Sequence, residues 1–395
     1  MSTLREVLQA HVDDGGVPGA VGLIARGDQV ETVAVGLAHA GGTVPMAADS
    51  LFRWASITKP LTAAAVLMLV EDGVIGLHDP IAPWLPELTH PRVVRTPGSP
   101  LDEVVPAHRP ITVFDLLTSR AGYGWASDFE LPAVQALFPV QRDGREPQSY
   151  PAMDEWLAEL AALPMLAQPG TAWLYDTCSV LQGALVARAS GRTFPDFLAE
   201  RLFEPLGMRD TGFTVPAADR DRFTSYYRRG DTGLELADAP DGQWSTPPAF
   251  PLGHGGLAGT AGDWLRFARL LLADGVTPQG RKLLSANAVR LMTTDHTTPA
   301  QRAHGDLFLE GQGWGCGGTV DIARLEPWNV PGRYGWVGGT GTCAHIIPAT
   351  GTVTILLTQV GVDSPTPDTT MRDFWRYAAT FDAQATGGGI REPRD

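Results

Sequence analysis

Near its start the chain carries two short apolar, β-branched runs, residues 21–25 and 30–35, separated by Arg26-Gly27-Asp28-Gln29. Two such runs around a Gly-Asp pair predict a β-hairpin. The pattern returns near the far end, where 344–347 and 352–358 flank Pro348-Ala-Thr-Gly351. Between these ends the apolar spacing becomes helical, and 153–163, 179–190, 264–272 and 370–381 predict helices. Gly191 stops the second of them as a C-terminal cap. Thr260-Ala-Gly-Asp263 resembles a capping box with Asp in place of Glu, and Ser285 caps a further helix through Met292. Residues 61–70 are apolar on every side, which marks a buried helix, ended by Asp72-Gly73.

Strands at both ends with helices between them predict an α+β fold, an antiparallel sheet assembled from both termini and flanked by helices. At 395 residues the chain is long enough for about two domains. The expected division is an α/β sandwich from 1–75 and 230–395 and a mostly helical region from 76–229. The stretches 89–110, 139–151 and 238–253 are Pro-rich loops, long enough to predict walls or lids rather than linkers. The tail, 384–395, with Gly387-Gly-Gly389 and mixed charges, predicts disorder.

A formal charge of −14 argues against nucleic acid and anionic membrane surfaces as partners. No apolar run reaches the ~18 residues of a membrane span. The start, Met1-Ser-Thr-Leu-Arg-Glu-Val-Leu, reads as an amphipathic helix onset without the apolar core of a secretory signal, so a cytoplasmic location is expected. Cys178, Cys316 and Cys343 are too few and too scattered for a disulfide framework or a zinc site, and predict buried free thiols.

Of 30 basic side chains only Lys59 and Lys282 are lysines, and the other 28 are arginines. Lys59 follows Ser56 by three residues. Arginine replaces lysine as a surface charge but does not act as a base, because its pKa stays above ~12. Three residues make almost one helical turn, so Ser56 and Lys59 share a face at the start of the buried helix, with Pro60 tolerated in its first turn. That helix end also offers free N–H groups to an oxyanion forming beside the serine. A nucleophile, a base and half an oxyanion hole are thus predicted within four residues. There is no Gly-x-Ser-x-Gly elbow and no His-Glu-x-x-His spacing. Among the histidines, His254 in Gly253-His254-Gly255-Gly256 is the one expected to face a pocket.

The context of Ser56 resembles the serine β-lactamase and penicillin-binding protein superfamily, and within its class C-like group the family VIII carboxylesterases. Phe52-Arg-Trp-Ala-Ser56-Ile-Thr-Lys59 looks like the first motif, and Ile111-Thr-Val-Phe-Asp-Leu-Leu-Thr-Ser a connecting block. Pro169-Gly170-Thr-Ala-Trp-Leu-Tyr175 looks like the second motif. Gly255-Gly256-Leu-Ala-Gly-Thr260 and Gly335-Trp336-Val337-Gly338-Gly339 follow in order. The resemblance implies a β-lactamase/transpeptidase-like fold, with Ser56 acylated, Lys59 its base partner and Tyr175 passing the proton. It also implies the Ser56 and Gly339 amides as the oxyanion hole, and no metal or cofactor.

Two departures shape the expected substrate. The family's Asn two residues after the tyrosine is Thr177, and the Lys-Thr-Gly strand motif reads Trp336-Val337-Gly338. A Trp and a Val supply no charge complementarity to a carboxylate. The change fits an ester with an apolar acyl or alcohol group, a small-molecule substrate bound by Trp336, Gly338, Thr177 and His254. Tyr123 and Trp125 are weighed evenly between lining that pocket and ordinary packing. Three alternatives stand beside the esterase: an acyltransferase of secondary metabolism, a β-lactamase or D-aminopeptidase-type hydrolase, and a catalytically silent binding protein.

Overall fold

The computed structural model describes residues 2–386. Its sheet has seven antiparallel strands: β1 (Gly19–Arg26), β2 (Gln29–Gly36), β3 (Gly313–Trp314), β4 (Thr319–Val320), β5 (Tyr334–Gly338), β6 (Thr342–Ile347) and β7 (Thr352–Thr358). Their spatial order is β2-β1-β7-β6-β5-β4-β3, so the N-terminal hairpin joins the C-terminal strands along the β1–β7 seam. Five helices matter for the site and its support: α1 (Leu4–Asp13), α2 (Lys59–Glu71), α3 (Thr177–Ser190), α4 (Ala261–Leu272) and α5 (Thr369–Thr386). The fold is α+β, as expected.

Both hairpins form where the apolar runs place them; β7 has the expected bounds, and β1, β2 and β6 extend further. Gly19 pairs with Gly36, because backbone pairing continues past the last apolar side chain. Alternation along β1 feeds two cores. Ala20 and Ile24 pack with Leu4, Leu8, Phe374 and Trp375 from α1 and α5. Val21, Leu23 and Ala25 join the main core, where α2 and α4 lie. The burial of α2 from Lys59 through Leu69 explains its apolar residues on every side.

Several ends differ from the sequence expectation. The helix expected at 153–163 stops at Ala162, because Leu163 takes an extended conformation. Gly191, at φ 67°, caps α3 as foreseen. Thr260 accepts from the Asp263 amide, but the Asp263 carboxylate turns to the Asp210 amide and Thr211, so only half of the capping box forms. Ser285 caps Ala286–Thr293 through the Ala288 amide. Helix α5 continues through Thr386, three residues into the stretch expected to be disordered, and the rest of that stretch lies outside the described residues. Among the described residues, no helix is long and apolar enough to cross a membrane.

Two hydroxyls fasten the β5–β6 turn to the segment that leads to Ser56. Thr340 Oγ1 donates to the Arg53 carbonyl at 2.6 Å and Thr342 Oγ1 to the Trp54 carbonyl at 2.8 Å. Gly338 makes this approach possible, since a Cβ there would stand 2.5 Å from the Trp54 carbonyl oxygen.

Candidate active site

Ser56 lies in a 3₁₀ turn, Ala55–Thr58, that runs directly into α2, and Lys59 is the first α-helical residue. The serine therefore stands one turn ahead of the α-helix rather than on it. Ala55 precedes it at φ 46°, a strained conformation for a residue with a Cβ. Lys59 Nζ is 2.8 Å from Ser56 Oγ, and Tyr175 Oη is 2.9 Å from the same oxygen. Lys59 Nζ and Tyr175 Oη are 3.3 Å apart. Ser56, Lys59 and Tyr175 thus meet, although Tyr175 is 119 residues from Ser56. Backbone bonds in both directions between Trp125 and Tyr175 hold the tyrosine. Gly124 permits that pairing, with φ at 137° and no room for a Cβ beside the Tyr175 carbonyl.

A cleft of about 500 Å³ opens over Ser56. Trp125, Phe129, Phe138, Phe308 and Trp336 form an aromatic wall, and Gly338 and Gly339 line the cleft beside Ser56. Trp336 Nε1 donates to Tyr175 Oη at 2.8 Å. The loop expected at 139–151 contributes Arg142, Asp143, Gly144 and Arg145 to the lining. Arg145 is paired with Asp143 at 2.8 Å and Arg142 with Glu159 at 3.2 Å, so neither arginine enters the cleft as a free cation. The loops 89–110 and 238–253 contribute no lining residue.

Thr177, expected in the pocket, and Tyr123, weighed evenly between pocket and packing, both lie elsewhere. Tyr123 is packed in the core, its hydroxyl on the Leu163 carbonyl at 3.3 Å and its ionisation pushed up by burial. It is core packing rather than a cleft wall. Thr177 is buried in the first turn of α3, where its hydroxyl donates to Gln141 Oε1 at 2.9 Å. It does not reach the cleft, because the turn before it directs Asp176 there instead. His254 does line the cleft, and its carbonyl oxygen accepts from Lys59 Nζ at 2.8 Å.

Asp176 is the residue that sequence reasoning passed over. Its Oδ1 is 2.7 Å from Lys59 Nζ, and Gln141 Nε2 donates to its Oδ2 at 2.9 Å. The only signal in the sequence was an acidic residue directly after Tyr175. Burial pushes the Asp176 carboxyl up, but electrostatic attraction to the adjacent His254 and Lys59, with hydrogen bonds from Lys59 and Gln141, reverses this and leaves it below the ordinary range. Burial lowers His254 to about 4, against the pull of Asp176. The imidazole is therefore uncharged at neutral pH, and the close partner of the Asp176 carboxylate is Lys59 Nζ, at 2.7 Å. No group of three or more His, Cys, Asp or Glu among the described residues is arranged to hold a metal ion.

The Beta-lactamase family profile matches residues 4–376. The chain belongs to the Beta-lactamase family. Protein Rv1367c of Mycobacterium tuberculosis is 36% identical over 369 residues, covering 91% of this chain and 88% of the relative. Esterase EstB of Burkholderia gladioli is 31% identical, covering 87% and 86%. Among solved structures, EstCE1, titled a hydrolase with promiscuous acyltransferase activity, superposes with a TM-score of 0.79 at 25% identity, covering 95% of this chain and 97% of that one. The seven-stranded sheet with its helices is accordingly the β-lactamase/transpeptidase-like fold, and the protein is a serine hydrolase or acyltransferase of this superfamily.

Proposed function

We propose that the protein is a serine carboxylesterase that cleaves esters with small to medium acyl groups through an acyl-enzyme on Ser56. One observation carries this reading: Ser56 Oγ has Lys59 Nζ and Tyr175 Oη within 2.9 Å at the foot of an aromatic cleft whose lining arginines are already paired. Such a cleft favours uncharged, apolar acyl and alcohol groups over a carboxylate-bearing lactam. Where a lysine would grip that carboxylate, Trp336 supplies an apolar face and spends its N–H on Tyr175.

In the first half-reaction Ser56 Oγ adds to the ester carbonyl, and its proton passes to the Lys59–Tyr175 pair. The Ser56 and Gly339 amides hold the tetrahedral oxyanion. Collapse breaks the C–O bond, and the alkoxide leaves with the proton from Tyr175. Water then adds to the acyl carbonyl and gives its proton to the same pair; collapse breaks the bond between the acyl carbon and Ser56 Oγ, and the pair returns the proton to Oγ as the acid leaves. Comparing p-nitrophenyl butyrate with nitrocefin tests the substrate class. The ester is expected to turn over faster by orders of magnitude, and preferential lactam cleavage would overturn the proposal. The likeness to EstCE1 favours one second reading, transfer of the acyl group to an alcohol, which would appear as acyl product accelerating with added alcohol.

A further inference from the structure

The hydrogen-bond inventory around Lys59 extends the reading of Ser56 as nucleophile and rests on it. Four oxygens surround Lys59 Nζ: Asp176 Oδ1 at 2.7 Å, the His254 carbonyl at 2.8 Å, Ser56 Oγ at 2.8 Å and Tyr175 Oη at 3.3 Å. An ammonium has three N–H groups, and a neutral amine has two and a lone pair. An ionised carboxylate and a backbone carbonyl only accept. They therefore claim two hydrogens whichever form the amine takes. One direction is left, and Ser56 Oγ is the nearer of the two hydroxyls that can receive it. On the neutral amine that direction is the lone pair, and on the ammonium it is an N–H.

We infer that Asp176 is a positioning residue which, together with the His254 carbonyl, aims the proton-accepting site of Lys59 at Ser56 Oγ. The carboxylate is itself held firmly. Asp176 sits at φ 84°, ψ −63°, in a γ-turn closed by the Thr177 amide on the Tyr175 carbonyl at 3.2 Å. That conformation is strained for any residue with a Cβ, and such strain persists only where the surroundings impose it. Here Gln141 imposes it, with its amide nitrogen on Asp176 Oδ2 and its amide oxygen taking the Thr177 hydroxyl. The turn thus delivers two consecutive side chains, Tyr175 and Asp176, to the same amine.

Steady-state kinetics of Asp176→Ala and Asp176→Asn on p-nitrophenyl butyrate, with Ser56→Ala alongside, test the assignment. Asp176 acts through Lys59, so kcat should fall about 10- to 100-fold in the alanine variant while KM stays within about twofold. Labelling of Ser56 by a fluorophosphonate probe should slow in parallel, because it reports the nucleophile before any deacylation. Asn, which keeps an acceptor oxygen, should retain more activity than Ala. A kcat of Asp176→Ala within about twofold of the parent, or a loss confined to KM, would overturn the assignment. Activity retained by Ser56→Ala would instead overturn the proposed function. If the Asp176 variants do not fold, Gln141→Leu carries the same test by stripping Oδ2 of its donor. Lower kcat and slower labelling at unchanged KM support the inference, and unchanged kcat refutes it.

Discussion

Replacing Trp336 by Phe removes one hydrogen bond from the reacting group while keeping an aromatic ring in the wall. The indole nitrogen donates to Tyr175 Oη at 2.8 Å, and the Trp336 side chain is itself only 4% exposed. While Tyr175 holds its proton, this bond is between neutral groups and is worth about 0.5–1.5 kcal/mol. As the proton leaves for the alcohol, negative charge grows on Oη and the same bond strengthens to about 1.5–3 kcal/mol. The difference, about 1–2 kcal/mol, is present only in the transition state, and corresponds to a kcat lower by about 5- to 30-fold. The shorter phenyl ring also leaves a void beside Trp314, whose ring centroid is 4.9 Å from that of Trp336. A loss of stability of about 1–2 kcal/mol is therefore expected as well. Stopped-flow or steady-state turnover of p-nitrophenyl butyrate gives kcat, and urea denaturation gives stability. If Trp336→Phe folds and its kcat lies within about twofold of the parent, the donor has no role in the transition state.

Two further outcomes follow from burial. His254 is held neutral down to about 4, below the ordinary 6.5, so between these values the unfolded chain binds a proton that the folded chain refuses. Stability contributed by this residue is therefore fully present above about pH 6.5 and falls by about 3 kcal/mol as pH drops to 4. Urea denaturation at pH 7.5 and 4.5 should show a smaller loss for His254→Gln than for the parent, and equal losses would refute the account. Tyr123→Phe should leave kcat and KM unchanged and cost about 0.5–1.5 kcal/mol, the bond to Leu163; a fall in kcat would return Tyr123 to the cleft.

The legible parts of the molecule were those written in local periodicity. The two hairpins, the buried helix α2 and the caps at Gly191 and Ser285 all depend on neighbours in sequence. Strands β3 and β4 are two residues each, too short to carry an alternation, and the β1–β7 seam joins residues more than three hundred positions apart. At the site, the contact of Ser56 with Lys59 follows from helical spacing, whereas Tyr175 became visible through a resemblance of motifs. Asp176 was missed because its meaning is tertiary. Nothing near it in sequence indicates that a γ-turn will swing its carboxylate onto Lys59 and leave Thr177 facing Gln141. Tyr123 was weighed between wall and core because a Gly-Tyr-Gly-Trp segment does not reveal which aromatic turns inward.

The central claim is an ester bond between substrate and Ser56. Intact-mass spectrometry after rapid quench with p-nitrophenyl butyrate, followed by peptide mapping, tests it most directly. The expected result is one butyryl group, on the peptide that contains Ser56, absent from Ser56→Ala. An acyl group on any other residue, or ester turnover by Ser56→Ala at the parental rate, would contradict it.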